Sequence, residues 1–262
     1  MKQSTPTALK KPEPLKILLM GPPGSRKTTL CMTFPNVHFM DCDGNLDGPE
    51  VHVRKTNSNL SYTFDSIGYD DSSPPKIVNI EDRYERLCDK LKLVKSSPEY
   101  SNVKFVVIDS CSQLNEFVIR YTLKQQGKTR HTLEMEARDW NPFKSFTMAL
   151  FVVRLEETNR HSICTFHEEY LYDPGDGKDF MTKKLREVNP YYQGSIGDNM
   201  AYMFTDCWKV EIRQGPGGTR PAFLLTQPTP LCKCLKNSCN MPPEIELKDG
   251  FKTLEPYLKG RM

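Results

Sequence analysis

Short apolar runs recur along the chain, each closed by a turn or by a polar stretch with helical spacing. Residues 16–20 (Lys-Ile-Leu-Leu-Met) run into Gly21-Pro22-Pro23-Gly24, which predicts a buried strand meeting a turn. Residues 28–34 follow as a helix, stopped before Pro35. A second strand over 37–40 ends in an acidic loop holding Asp41, Asp43, Gly44, Asp47 and Gly48. The polar stretch 57–75 reads as a loop, and 77–80 as a strand. In 81–95, Leu87, Leu91 and Val94 recur at helical spacing behind an acidic start. Residues 103–109 carry the most continuous apolar run and predict a central strand. Leu114, Phe117, Val118 and Tyr121 mark one face of a helix that Gly127 ends. A further helix covers 139–157, with Asp139 as N-cap and Pro142 in its first turn. Strands at 161–166, 207–212 and 222–225, with a helix at 198–204, complete the series.

Strands alternating with helices predict an α/β fold, a mainly parallel sheet with helices on both faces. No linker rich in Pro, Gly or Ser divides the middle, so one domain is expected. Residues 1–14 form a flexible tail, 15–227 the core, and 228–262 a C-terminal segment packing on or extending it. Composition then narrows the class. Apolar residues at 37% supply a real core, which excludes a wholly disordered or fibrous chain. The formal charge of +3 announces no nucleic-acid partner, so any such contact requires a local basic patch. Nine cysteines, scattered and odd in number, read as reduced thiols. No apolar run approaches the roughly 20 residues of a membrane span, and no signal-peptide pattern opens the chain. A soluble cytoplasmic protein without membrane contact is expected.

The chemistry begins at Gly21-Pro22-Pro23-Gly24-Ser25-Arg26-Lys27-Thr28. This fits G-x-x-x-x-G-K-[ST] except at Arg26, which stands where the last glycine belongs. Small residues let backbone N–H groups wrap a β-phosphate at a helix N-terminus, where the dipole favours anions. Lys27 would reach the β- and γ-phosphates, and the Thr28 hydroxyl would ligate Mg²⁺. Residues 21–29, Thr29 included, are the expected nucleotide contacts. The strand Phe105-Val-Val-Ile-Asp109 would set a second carboxylate beside that loop, able to hold the Mg²⁺ water shell.

Three features together resemble the RecA-like P-loop ATPases of recombination, in particular the compact phage proteins that anneal single strands. They are Ile108-Asp109-Ser110, the strand end His38-Phe-Met-Asp41-Cys-Asp43, and the run Gln193-Gly-Ser-Ile-Gly-Asp-Asn-Met-Ala-Tyr-Met-Phe204 with its following strand. The resemblance implies a RecA-like P-loop NTPase fold, ATP as substrate and Mg²⁺ as cofactor. It implies Asp43 as catalytic base, with Asp41 in reserve. His167, at the end of strand 161–166, is similar to the polar residue that senses the γ-phosphate. Lys236 stands where basic residues reach a neighbouring subunit's nucleotide, but Ser238 replaces one of them.

The same resemblance places two DNA-binding loops. Lys128 and Arg130 stand in the first; Lys178, Lys183, Lys184, Arg186, Tyr191 and Tyr192 stand in the second. Cations neutralise phosphates and tyrosine rings stack on unpaired bases, so this would be the local patch that net charge does not promise. The implied function is an ATPase (ATP and water to ADP and phosphate) that binds single-stranded DNA and promotes annealing or strand pairing. It would assemble as a homo-oligomer on DNA, with a single-strand-binding protein as a further candidate partner. Arg26 leaves open a non-hydrolysing nucleotide-dependent scaffold or loader. A small-molecule P-loop kinase is the third reading, although 178–186 is dominated by lysine where such enzymes carry an arginine-rich lid. Cys232-x-Cys234-x4-Cys239 offers three thiols and no downstream histidine, short of the four ligands of structural zinc, so no structural metal is expected.

Overall fold

The computed structural model describes residues 13–57, 60–128, 134–173 and 184–262. An eight-stranded sheet organises them, in the order β10-β9-β8-β1-β5-β4-β2-β3. Its strands are β1 (Lys16–Met20), β2 (Val37–Asp41), β3 (Tyr62–Ser66), β4 (Phe105–Asp109), β5 (His161–Phe166), β8 (Asp206–Ile212), β9 (Ala222–Leu225) and β10 (Glu244–Glu246). The six from β8 to β3 run parallel, while β9 and β10 turn back antiparallel at one edge. A separate antiparallel pair, β6 (Glu168–Tyr172) and β7 (Leu185–Pro190), leaves the end of β5.

Period-two alternation along the central strands fills both faces of the sheet. Leu18, Met20, Val106, Ile108, Cys164 and Phe166 point to one side. They meet α3 (Arg83–Ser96), α4 (Cys111–Gln125) and α5 (Trp140–Met148), the last running on through a π-helical segment, Ala149–Arg154, into α6 (Leu155–Glu157). Ile17, Leu19, Phe39, Phe105, Val107 and Ile163 point to the other side, against α1 (Lys27–Met32) and α8 (Phe251–Leu258). Two further short α-helices among the described residues are α2 (Asp47–Arg54) and α7 (Ser195–Asn199). The expected parallel sheet with helices on both faces is present, and it follows from strands apolar on both sides. Among the described residues no helix is long and apolar enough to cross a membrane.

The sequence reading misplaces several edge elements. The expected loop 57–75 contains β3, and the expected strand 77–80 supplies only a single bridge, Ile77 with Tyr69, before a 3₁₀ turn at Ile80–Asp82. Ile77 is 73% exposed, so its apolar character reflects no burial. β3 pairs with β2 alone, and an edge strand needs no continuous apolar face.

Polar anchoring replaces that face. Asp65 of β3 accepts Lys90 Nζ at 2.8 Å and the Tyr100 hydroxyl at 2.7 Å, and lies 3.1 Å from His38 Nε2. Burial opposes its charge, but the bonds from His38, Lys90 and Tyr100 outweigh burial and hold the carboxyl well below the ordinary carboxylate range. A depressed folded-state pKa contributes stability that is present above about pH 4 and is lost as pH falls. Asp65→Asn leaves Lys90 partly uncompensated and should cost roughly 3 kcal/mol at neutral pH. Urea unfolding across pH 2–7 should show this loss together with a flatter acid limb for the variant.

Candidate functional site

β1 sits between β5 and β8, so the chain leaving Met20 emerges at the carboxyl edge of the sheet, where α/β folds collect ligands. A Cβ on Gly21 would lie 2.6 Å from both Ser25 Oγ and the Val210 carbonyl, so only glycine fits there. The loop closes into α1 through Arg26, whose φ of 70° and ψ of 28° are left-handed. That is the conformation a glycine at this motif position adopts freely, and a side chain there costs about 1–2 kcal/mol. The backbone shape of the loop is kept despite Arg26, and its side chain projects to the exposed side.

Lys27 is buried, and its ammonium donates to the carbonyls of Gly21 (2.7 Å) and Pro22 (3.0 Å). Burial lowers its pKa against the attraction of Asp109, Glu168, Cys31 and Asp43. The Thr28 hydroxyl donates to Asp109 Oδ2 at 2.7 Å, and the Thr165 hydroxyl from β5 donates to Asp109 Oδ1. Thus the loop, the end of β4 and the end of β5 meet at one buried carboxylate. The donor set fits Mg²⁺: a hydroxyl and a carboxylate, both hard oxygens, already lie in contact beside the phosphate loop.

Two further carboxylates face this point. Asp41 caps the turn after β2 by accepting Gly44 N–H at 2.8 Å, and burial raises its pKa. Asp43 lies on the open side of the cleft. Desolvation by the surrounding walls, then repulsion from Asp109 and Asp41, push its carboxyl up to about 6. A carboxylate held near 6 suits proton abstraction close to neutral pH. His167 follows β5, and its backbone N–H donates to Ser112 Oγ of α4 at 2.9 Å. Burial, then the nearby Lys27 charge, depress its imidazole pKa against Asp109, so the ring is neutral at neutral pH. Its Nδ1 is buried with no partner among the described residues. Lys27, Thr28, Asp43, Asp109 and His167 line a single cavity of about 530 Å³, together with Gly24, Ser25, Arg26 and Thr29. That size lies within the range of small-molecule sites. Gly21, Pro22 and Pro23 do not line it; Gly21 and Pro22 supply the carbonyls that hold Lys27.

The expected DNA residues divide. Arg130, Lys178 and Lys183 lie outside the described residues. Lys184 and Arg186 are exposed at the start of β7, and Tyr191 is 41% exposed at its end. Lys128 is committed elsewhere, its ammonium 2.6 Å from Asp139 and 3.2 Å from Glu136. Tyr192 requires a correction. It is 2% exposed and packs on Phe143, Phe151 and Phe166, because a large aromatic ring gains more from this apolar cluster than from solvent. It is a core residue and no stacking platform. Lys236 joins β8 through backbone bonds to Cys207, and Ser238 is pinned to buried Asp206 by its N–H (2.6 Å) and hydroxyl (2.9 Å).

Sequence reasoning missed Thr165, Ser112, Glu168 and Lys209. The Glu168 side chain, almost wholly buried, lies 3.1 Å from Lys209 Nζ of β8 and accepts the Tyr170 hydroxyl at 2.6 Å. Only strand register brings Lys209 beside Met20, and no local motif signals that neighbourhood.

The Thr28–Asp109 contact predicts that Mg²⁺ strengthens nucleotide binding through both groups. Thr28→Val keeps the shape and removes the hydroxyl. The affinity gain on adding Mg²⁺, read with a fluorescent ATP analogue, should shrink about tenfold, as for loss of a hydrogen bond to a charged group.

Comparison with known proteins places this geometry in context. No curated protein matches the chain. An uncharacterized protein from Pyrococcus horikoshii, solved in complex with an unknown peptide, aligns over 82% of this chain and 84% of its own, at 9% identity and a TM-score of 0.40. The model of the AAA domain family matches residues 13–231, from the strand before the phosphate loop to past β9. The chain belongs to this AAA domain family of P-loop ATPases.

Proposed function

We propose that this protein is a RecA-like ATPase of DNA recombination, binding single-stranded DNA and promoting annealing or strand pairing as a homo-oligomer on the DNA. One observation carries the reading: the cavity-lining residue that follows β5, His167, is also the root of the β6–β7 pair, with Lys184, Arg186 and Tyr191 at the start and end of β7. Its carbonyl accepts Tyr191 N–H at 2.8 Å, so the two ends of that pair close on the candidate sensor. His167 lines the cavity and its buried Nδ1 has no partner among the described residues, so the ring would meet a phosphate oxygen there. A change at the γ-phosphate would reach β7, with Lys184 and Arg186 at its start, across one residue.

The hydrolytic roles follow from position. Lys27 balances charge on the β- and γ-phosphates, releasing its loop carbonyls as it does so. Bound Mg²⁺ would be held by Thr28 and Asp109, and would neutralise developing phosphate charge. Asp43 takes a proton from water as the water oxygen bonds to the γ-phosphorus and the bond to the ADP oxygen breaks. His167, neutral, donates no charge and reports the change by hydrogen bonding. Arg26 supports the second reading, a nucleotide-dependent scaffold that does not turn over, because its side chain stands at the mouth of the phosphate loop.

Steady-state ATPase with and without single-stranded DNA separates the two. For the enzyme, DNA raises kcat, Lys27→Ala abolishes it, and Asp43→Asn lowers it by about 10²–10⁴. The wild-type rate should fall as pH drops through about 6, where Asp43 gains its proton, and the residual rate of Asp43→Asn should lack that limb. ATP binding with equally negligible hydrolysis by wild type and Lys27→Ala would instead establish the scaffold.

DNA contact has its own measurement. Replacing Lys184 and Arg186 by alanine removes two phosphate contacts. The slope of log affinity against log salt for a labelled oligonucleotide should flatten by about 1.4. An unchanged slope would remove this strand from the interface.

A further inference from the structure

Cys232-x-Cys234 is a motif that nucleotide chemistry leaves unused. The chain turns tightly before it: Cys232 N–H donates to the Thr229 hydroxyl at 3.0 Å and to the Thr229 carbonyl at 3.2 Å, and Thr229 N–H donates back to the Cys232 carbonyl at 3.0 Å. This turn leaves the two thiols on one side, with their sulfurs 3.7 Å apart. A third sulfur meets them from the sheet. Met20 Sδ, at the end of β1, lies 4.0 Å from Cys232 Sγ and 3.8 Å from Cys234 Sγ. Met20 is itself fixed by pairing with Phe166 on one side and Lys209 on the other.

The three sulfurs form a nearly equilateral triangle. The point equidistant from them lies about 2.2 Å from each, close to the roughly 2.3 Å of a metal–thiolate bond. Donor chemistry then selects the ion. Zinc prefers four ligands drawn from thiolate, imidazole and carboxylate, and the described residues hold no group of three or more His, Cys, Asp and Glu that could supply them. Two thiolates and a thioether are soft donors, which suit copper(I). The sulfurs belong to a buried apolar cluster that also holds Leu225, Leu235 and Phe166, which limits access of water, while Lys209, Glu168 and Glu187 are charges near enough to act on the two thiols. Cys234 is half-buried and provides access, while Met20 and Cys232 are buried behind it.

We propose that Met20, Cys232 and Cys234 form a trigonal all-sulfur site for copper(I). Binding displaces one proton from each thiol, joins both thiolates and the thioether to the ion, and changes no oxidation state. The site stands independently of the ATPase reading.

The test titrates reduced full-length protein with copper(I) under anaerobic conditions, against the chelator bicinchoninate. One copper per chain should be retained, and X-ray absorption should show three sulfur neighbours at about 2.2–2.3 Å. Cys232→Ser and Cys234→Ser should each weaken binding at least about 100-fold, beyond the loss typical of outer-shell changes. Met20→Leu preserves packing volume, and its thermal melt checks the fold. It should weaken binding about tenfold and reduce the shell to two sulfurs, the neutral thioether being the weakest donor of the three. Cys207→Ser and Cys239→Ser should bind copper(I) as wild type does. Unchanged affinity in Met20→Leu, dependence on Cys239, or displacement of copper(I) by an equal concentration of zinc would each overturn the proposal.

Discussion

A carboxylate buried at the end of a central strand has to be satisfied, and Asp109 is satisfied by hydroxyls from two other elements. Thr28 reaches it from the first turn of α1 and Thr165 from β5. An unpaired charge at that depth would cost several kcal/mol, so the position of the phosphate loop is tied to β4 and β5 by electrostatics as well as by strand pairing. The rest of the site depends on this anchor. Lys27 is drawn down beside it, Asp43 has its pKa raised partly by it, and His167 feels its field. β4 is buried along its whole length and β5 from Ser162 onward, so the anchor rests on the buried centre of the sheet.

Outward from that point the segment after β5 is tied to α4 by single hydrogen bonds. His167 is held to α4 through Ser112, and Gln193 is held to the same helix through Asn115. The segment between them, β6 to β7, therefore leaves and rejoins the core at one helix. Tyr192, expected at the DNA, instead fills the space between α5 and β5 and fixes the rejoining end. An aromatic residue close to Lys184 and Arg186 looks like a stacking platform in sequence, and here the same ring is the nail that holds the strand.

Legibility in the sequence followed the strength of the local signal. The strands at 16–20, 37–40, 103–109 and 161–166 were readable because a strand covered on both faces carries a largely apolar run between turn signals. Gly21, Lys27 and Thr28 were readable because a phosphate loop demands particular residues at particular spacing. β3 was not, since its stability comes from Asp65 reaching Lys90, Tyr100 and His38, none of which is adjacent to it in the chain. Lys128 looked like a free cation until the fold set Asp139 and Glu136 against it.

The sequence by itself determined the alternation of strands and helices, the phosphate loop and the residues that would carry charge around it. Local spacing and side-chain type suffice for these, because each acts within a few residues of itself. Only the tertiary structure decided that Arg26 keeps a glycine-like backbone, that Thr165 shares Asp109 with Thr28, and that Met20 stands beside Cys232 and Cys234. Those are meetings of residues up to 214 positions apart. Strand order and register set them, and no local pattern encodes which strands become neighbours.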